Sequence, residues 1–343
     1  MKGYRWFWAL VLLASIVNSS LVRGTNSPSG STDGGLPYPD KFTFQVAIPY
    51  EQGVTRRDPS AVIKVGDTYY LWYSKVTDRP DHPWKYASES GYFADIWYAT
   101  SPDRHQWKEQ GQAIGKGAPG SWDEHGVFTP NILVFGDKYY LYYTAVDNKF
   151  GATTPTHLGV AVSDSPNGPW KKFASNPVLG PSTDPAQFDS MRVDDADLIV
   201  RDGKVWLYYK GRQDGNGPGG THMGVAIAAA PTGPFVKNGT ALDHGHEVLV
   251  WPQGTGVASM TSLAPRGFLF AADGIHFEVR KTMQHLPAAP GSFRSDNFVN
   301  NAFGKGLEWG ISQASKEDHV YLLRYDCVRD ASDTGTAPAP NHP

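Results

Sequence analysis

The sequence predicts an all-β fold, a five-bladed β-propeller, from three patterns. Short runs of Val, Ile, Tyr, Trp and Phe are broken by Gly, Asp and Pro, which is typical of many short strands. A hairpin-like segment, whose second strand is rich in aromatic residues, recurs along the chain. A further strand module follows each of these segments. Four-stranded units repeated around a centre are characteristic of propellers.

The hairpin segment is most regular where it opens at Asp58, Phe128 and Asp194. In each of the three, a Gly/Asp turn pair begins eight residues after the opening residue, and such pairs favour tight hairpin turns. A weaker fourth segment opens at His246, with Gly254 at the turn position. This alignment predicts that the four opening residues are equivalent and start the innermost strands, close to the mouth of the central channel.

The second module begins with an apolar strand, and in two copies Gly-Pro precedes an aromatic residue. Its four copies lie at 96–109, 158–172, 223–237 and 268–279. A fifth set of strands fits residues 307–328, and the N-terminal run ending at Ile48 is predicted to close the ring. A two-sheet sandwich would explain the strands but not their recurrence, which favours the propeller.

The N-terminus has the pattern of a secretory signal. Lys2 and Arg5 precede an apolar run over residues 6–17, which is too short to span a bilayer comfortably. Small and polar residues follow this run. We therefore expect a signal peptide at 1–23 and a secreted or periplasmic protein.

Composition divides the rest of the chain. Gly, Ser, Thr and Pro dominate a predicted flexible linker at 24–37. The catalytic propeller domain is expected at 38–329, and a disordered tail at 330–343. The net charge of −3 is spread along the chain, which predicts neither a nucleic-acid nor a membrane partner. Cys327 is the sole cysteine, so no internal disulfide is expected.

Three of the four opening residues, Asp58, Asp194 and His246, carry acid–base side chains. Hydrolysis of a glycosidic bond needs a group that protonates the leaving oxygen and a group that activates water or attacks carbon. A third charge can tune the pKa of the acid. An aspartate before a strand can also simply initiate a turn, but two aspartates and a histidine at one repeat position favour catalysis.

Several segments together resemble glycoside hydrolase family 117, the neoagarooligosaccharide hydrolases, which are related to the family 43 arabinanases and xylosidases. The matching segments are RDPSAVIKV at 57–65, VFTPNILVFGDKYYLYYTA at 127–145, FDSMRVDDADLIVRDGK at 188–204, WLYYKGR at 206–212, THMGVAIA at 221–228 and GHEVLVWPQGTGV at 245–257. The resemblance implies a five-bladed propeller and an inverting, exo-acting enzyme. Its implied reaction releases 3,6-anhydro-L-galactose from agar oligosaccharides by cleaving an α-1,3 bond.

The resemblance also implies roles for individual residues. Asp58 matches the family's base, and His246 matches its unusual histidine acid, with Glu247 as the alternative acid. The pKa-modulating aspartate falls in VDDA, where the repeat position favours Asp194 and leaves Asp195 and Asp197 open. The alternative functions are hydrolysis of another glycan, as in family 43, and carbohydrate binding without catalysis.

Eight further residues are candidates to bind the oligosaccharide substrate, because they are arginines, aromatic residues or polar groups in the matching segments or in the loop that enters blade two. They are Arg57, Glu124, Arg192, Arg212, His222, Glu247, Trp251 and Gln253.

No cofactor is expected to be required, and no residue is assigned as a metal ligand, although the resemblance allows a divalent cation in the central channel. The resemblance also allows a homodimer. However, the N-terminal helical segment that swaps between subunits in the family has no counterpart before Tyr38.

Overall fold

A computed structural model describes residues 33–81, 92–149, 151, 153–245, 248–300 and 302–329. These residues form 23 strands and one short 3-10 turn, Pro218–Gly220, with no α-helix among them. The strands make five antiparallel sheets of four or five strands, arranged as the blades of a ring. The five-bladed propeller predicted from the sequence is confirmed.

The first three blades follow the chain from the channel outwards. Blade one contains β2 (Val54–Arg57), β3 (Ile63–Val65), β4 (Thr68–Thr77), β5 (Asp95–Ser101) and β6 (Lys108–Ile114). Blade two contains β7 (Gly126–Phe135), β8 (Lys138–Val146), β9 (His157–Ser163) and β10 (Lys171–Lys172). Blade three contains β11 (Arg192–Arg201), β12 (Lys204–Arg212), β13 (Thr221–Ala228), β14 (Val236–Lys237) and β15 (Asp243–His244).

The last two blades are assembled less simply. Blade four contains β16 (Leu249–Gly254), β17 (Gly256–Thr261), β18 (Gly267–Ala271), β19 (Glu278–Thr282) and β21 (Gly304–Lys305). Blade five contains β20 (Ala288–Ser292), β22 (Trp309–Lys316), β23 (His319–Val328) and β1 (Lys41–Ile48). Blade five therefore combines strands from both ends of the described chain.

The ring closes through the pairing of β1 with β23, which confirms the sequence prediction. The register runs from Lys41 opposite Val328 to Ile48 opposite Leu322. The predicted linker is described from Asp33 onwards. Its last residues are held to the domain, because Gln253 donates to the Leu36 carbonyl at 3.0 Å and Arg329 donates to the Pro37 carbonyl at 2.8 Å.

Aromatic pairs in the second strands build much of the core. Consecutive residues of a strand face opposite sides of the sheet, so each pair fills the space on both faces of its blade. The pairs in blades one to three are fully buried: Trp72 and Tyr73, Tyr142 and Tyr143, and Tyr208 and Tyr209. In the part of the chain that the structure describes, no helix is both long and apolar enough to cross a membrane.

Asn131 and its partner Asp197 together join four blades around the channel. Its amide nitrogen donates to the Ala196 carbonyl and to Asp197 Oδ1, each at 2.9 Å, and its oxygen accepts from the Ala61 N–H at 2.9 Å. Asp197 Oδ2 accepts from the Val250 N–H of blade four at 2.8 Å. Both side chains are buried, so these hydrogen bonds are sheltered from water.

An Asn131→Ala substitution is expected to lower the free energy of unfolding by about 3 kcal/mol, because it leaves several buried polar groups without partners. Urea unfolding followed by tryptophan fluorescence measures this loss. Asn238→Ala, at an exposed position beyond β14, is the matched control and should leave the midpoint unchanged. Equal midpoints for the two variants would contradict the bridging role of Asn131.

Candidate active site

The mouth of the channel is marked by four non-glycine residues with left-handed backbone. They are Asp58 at φ 51°, Thr129 at φ 45°, Asp195 at φ 51° and Ala289 at φ 41°. Such residues are uncommon, and they often occur where a side chain must be aimed at a functional position. In blades two, three and five the residue lies at a bulge of the innermost strand.

Three of these residues make the same contact with the preceding blade. The Asp58 N–H donates to Gln313 Oε1 at 2.8 Å, and the Thr129 N–H donates to Ser74 Oγ at 2.8 Å. In blade three the Asp195 N–H donates to Thr144 Oγ1 at 3.2 Å. Asp58, Thr129 and Asp195 are therefore structural equivalents.

The equivalence predicted from turn spacing is wrong by one residue in blades two and three. Asp58 corresponds to Thr129 and Asp195, rather than to Phe128 and Asp194. The physical reason is an additional residue in blade one. In blade one, five residues separate Arg57 from Ile63 while three separate their partners, an excess of two. In blade three, two residues separate Asp194 from Asp197 while one separates their partners, an excess of one. Counting back from the turn therefore shifts the alignment.

The left-handed residues surround a small cavity of about 50 Å³. Asp58, Thr129, Asp195 and Ala289 all line it, together with the following residues of each strand and Val248. Two carboxylates from different blades thus face one space, as the sequence predicts, although Asp195 takes the place expected for Asp194.

Arg57 holds the Asp58 carboxylate. Its Nε lies 2.8 Å from Asp58 Oδ2, and its guanidinium lies 4.4 Å from the centre of the Tyr92 ring. Burial works to lower the pKa of Arg57, but the charges of Asp58, Tyr92 and Asp195 and the hydrogen bond to Asp58 together outweigh it, and the pKa is raised. Burial also raises the pKa of Tyr92, so the phenol beside Arg57 stays protonated. The guanidinium is therefore a fixed cation that orients Asp58.

Lys210 performs the corresponding task in blade three. Its ammonium contacts Asp195 Oδ2 and lies 3.5 Å from Asp194 Oδ1. The pKa of Asp194 is raised to about 6, mainly by burial and also by the neighbouring Asp195 charge, although Lys210 works to lower it. Asp194 is thus a buried carboxylate behind the cavity, and Asp195 is the one that lines it.

Asp197, the third aspartate that the sequence left open, has a structural role. Its oxygens accept hydrogen bonds from Asn131 and from the backbone N–H groups of Leu198 and Val250. Burial raises its pKa to about 6. With its lone pairs directed at the channel wall, Asp197 stabilises the ring and does not line the cavity.

Arg192 and Arg212 are paired across β11 and β12, and both are buried. Because side chains alternate along a strand, Arg212 lies on the same face as Lys210, one step further along β12. The pKa of Arg192 is lowered to about 10, mainly by burial and also by the Arg212 charge, although the Asp194 charge works to raise it. Arg192 also donates to the Gly151 carbonyl. The two arginines extend the charged cluster beyond Lys210.

Trp251 and Gln253, both expected at the substrate, lie in the core away from the cavity lining. Trp251 is 3% exposed, and its ring meets Phe268 edge-on at 6.2 Å. Trp251 Nε1 donates to Gln253 Oε1 at 3.0 Å, and Gln253 in turn binds the N-terminal segment. Both lie on β16 close to its turn, where the strand has left the channel mouth.

Glu124 and His222 also have local partners. The Glu124 carboxylate accepts from the Gly120 N–H within the loop that enters blade two. The His222 ring lies 5.1 Å from the His244 ring, and burial lowers its pKa. Neither residue lines the cavity. His246 and Glu247, the two candidate acids, lie outside the described residues.

The described residues contain no group of three or more His, Cys, Asp or Glu side chains arranged to hold a metal ion. The channel oxygens of Asp197 accept hydrogen bonds from N–H groups. A divalent cation in the channel stays a prediction.

Sequence reasoning missed Tyr92, Thr129 and Lys210. For Lys210 a signal was present: it continues an aromatic strand, WLYYKGR, in which a lysine at an inward position needs a carboxylate partner. Tyr92 lies in the long connection between β4 and β5, where hydrophobic periodicity gives no guidance. Thr129 was overlooked because the turn count placed Phe128 at the equivalent position.

Comparison with known proteins agrees with this architecture. The family model of glycosyl hydrolases family 43 matches residues 52–197. An arabinoxylan arabinofuranohydrolase from Bacillus subtilis is 25% identical over 284 residues, covering 78% of this chain and 48% of the relative. This chain spans about half or less of the length of the curated relatives it matches.

Solved structures extend the comparison to the whole propeller. Zg3597, a family 117 glycoside hydrolase from the marine bacterium Zobellia galactanivorans, superposes with a TM-score of 0.78 at 29% identity. The match covers 90% of this chain and 97% of that one. A family 43 β-xylosidase/α-arabinofuranosidase from a compost metagenome shares the fold, with a TM-score of 0.57 at 15% identity over 84% of this chain and 97% of that one. The fold of this chain is therefore the one shared by these propeller glycoside hydrolases, and along most of its length the chain is similar to a family 117 enzyme.

Proposed function

We propose that this chain is an inverting, exo-acting glycosidase that releases 3,6-anhydro-L-galactose from agar-derived oligosaccharides by cleaving α-1,3 bonds. The likeness to a family 117 enzyme supports the substrate class. The predicted signal peptide at 1–23 supports action outside the cytoplasm. The observation that carries the proposal is the meeting of Asp58 and Asp195, both left-handed, in the lining of one cavity.

Asp58 is the proposed base. Its carboxylate is held by Arg57 and lines the cavity, so it can accept a proton from a water that attacks the anomeric carbon. Direct attack by water inverts the configuration at that carbon. Arg57 cannot take the proton itself, because its raised pKa keeps the guanidinium protonated.

Asp195, held by Lys210, is the proposed modulator. A carboxylate near the acid favours the protonated form of that acid. We assign the role to Asp195 instead of Asp194 because Asp195 lines the cavity, while Asp194 is 2% exposed and lies behind it. His246 remains the proposed acid, since an imidazolium donates a proton readily near neutral pH.

Purified protein incubated with neoagarobiose should release a monosaccharide. Proton NMR of the first product should show the inverted anomer, because water attacks from the face opposite the leaving group. Neutral family 43 substrates, an arabino- and a xylo-oligosaccharide, serve as comparison. Cleavage of those sugars in place of neoagarobiose would overturn the substrate, and a retained anomer would overturn the roles given to the two aspartates.

Loss of the acid is expected to be rescued by an activated leaving group. His246→Ala should cut turnover of the natural sugar by at least about 100-fold, and by far less on an aryl glycoside whose leaving group needs no proton. Glu247→Gln is the matched comparison, because it alters the neighbouring candidate. Rescue of Glu247→Gln without rescue of His246→Ala would assign the proton to Glu247.

A further inference from the structure

Arg212 is a buried cation that the proposed mechanism does not use. Arg212 is 7% exposed. Its Nε is buried and has no hydrogen-bond partner in the part of the chain that the structure describes. An arginine presents five N–H donors and remains charged, so burying the Nε–H of Arg212 without a partner is unfavourable. Such a group is retained most easily where a ligand completes its hydrogen bonds.

The neighbouring carboxylates do not supply the missing hydrogen bond of Arg212. The charges that act on Arg212 are those of Asp194 and Asp195, and Lys210 holds both. Burial lowers the pKa of Arg212 in spite of the two aspartates, so their attraction does not compensate for lost hydration. Arg192 lies directly across the β11–β12 pair and adds a second positive charge.

The balance of charge at this end of blade three is positive. Among the described groups, Arg192, Lys210 and Arg212 face the carboxylates of Asp194 and Asp195. Arg212 follows Lys210 on the same face of β12, and Lys210 binds the aspartate that lines the cavity. Neither arginine lines the cavity itself, so an acidic group would reach Arg212 by extending from a sugar in the cavity past Lys210 towards the end of β12.

We propose that Arg212, with Arg192 beside it, binds an acidic substituent of the substrate, a sulfate ester or a uronic carboxylate. A guanidinium binds both groups through two parallel hydrogen bonds, a geometry that a hydroxyl cannot match. This inference rests on the proposed function, because it takes the cluster at Asp58 and Asp195 as the active site. It extends that function by making the preferred glycan an anionic one.

Equilibrium binding tests the proposal without requiring turnover. Galactose 6-sulfate, galacturonate and neutral galactose are titrated by calorimetry into the wild type and into Arg212→Gln. In the wild type, one of the acidic sugars should bind at least about tenfold more tightly than galactose, the difference expected of a charge-assisted hydrogen-bonded pair. The better of the two acidic sugars identifies the substituent. In Arg212→Gln the preference should disappear.

Two further variants keep the result interpretable. Arg280→Gln removes an arginine from the outer strand β19, where it pairs with Glu278 at 3.1 Å, and should retain the preference. Arg212→Lys keeps the charge without the forked geometry, and should retain part of the preference if Arg212→Gln does not fold.

Equal affinity for all three sugars, absence of binding by all three, or an unchanged preference without Arg212 would overturn the inference. Hydrolysis of neutral neoagarobiose with no acidic preference would overturn it while leaving the proposed reaction standing. Failure to hydrolyse neoagarobiose, combined with a preference that depends on Arg212, would leave the anion site standing and overturn the proposed sugar.

Discussion

Replacing Asp58 with asparagine is expected to leave the fold intact and to reduce turnover by at least about 100-fold, the usual contribution of a general base. The two side chains are nearly the same size, and the hydrogen bond from the residue-58 N–H to Gln313 does not involve the side chain of residue 58. The amide cannot accept a proton from water. Initial rates with neoagarobiose measure the loss, and circular dichroism confirms folding.

Asp67→Asn is the matched control for this experiment. Asp67 is an exposed residue of the turn between β3 and β4, in the same blade and away from the cavity. Its substitution should leave turnover within a factor of about two, as for most surface positions. If folded Asp58→Asn is as active as Asp67→Asn, Asp58 has no part in the mechanism.

The neighbouring pair Asp194 and Asp195 provides the second large effect. Asp195→Asn should reduce turnover by at least about tenfold, because it removes the charge in the cavity that favours the protonated acid. It should also shift the alkaline limb of the rate profile to lower pH. Asp194→Asn should have a smaller effect on turnover, since Asp194 lies behind the cavity.

The stability of Asp194→Asn gives an independent measurement. Because the pKa of Asp194 is raised from 3.8 to about 6 in the folded protein, the native state binds its proton more tightly than the unfolded state. The contribution of Asp194 to stability therefore falls as pH rises from about 4 to about 6. Relative to the wild type, the free energy of unfolding of Asp194→Asn should rise by on the order of 1–3 kcal/mol between pH 4 and pH 7.

Turnover decides between the two aspartates. A larger loss of turnover in Asp194→Asn than in Asp195→Asn would reverse the roles given to them.

The propeller was predictable because its signals are local. Turn pairs such as Gly66-Asp67 and Gly136-Asp137 recur with aromatic strands behind them, and hairpins form wherever those pairs occur. The N-terminal run ending at Ile48 was likewise recognisable as a strand that could close the ring, and it does so by pairing with β23.

The details of the site were not local. The bulge that follows Asp58 contains one more residue than the bulge at Asp195. The sequence between each bulge and its hairpin turn gives no indication of this extra residue. Trp251 resembled a sugar platform in its motif, but its burial against Phe268 is decided by blade five and the N-terminal strand. Spacing along the sequence therefore does not predict contacts between residues that are distant in the chain.

Because β1 pairs with β23 to close the ring, the architecture of the propeller does not depend on where along the ring the chain begins. The first and last strands of the described chain lie side by side, with Lys41 opposite Val328, so a short linker could join the two ends of the propeller domain without disturbing any sheet. New ends opened in the turn at Asp202-Gly203 would preserve every strand pairing while moving the seam to the opposite part of the ring. The protein should accordingly tolerate circular permutation, with the rate of folding altered more than the final stability, because the same contacts would then join residues at different separations along the chain.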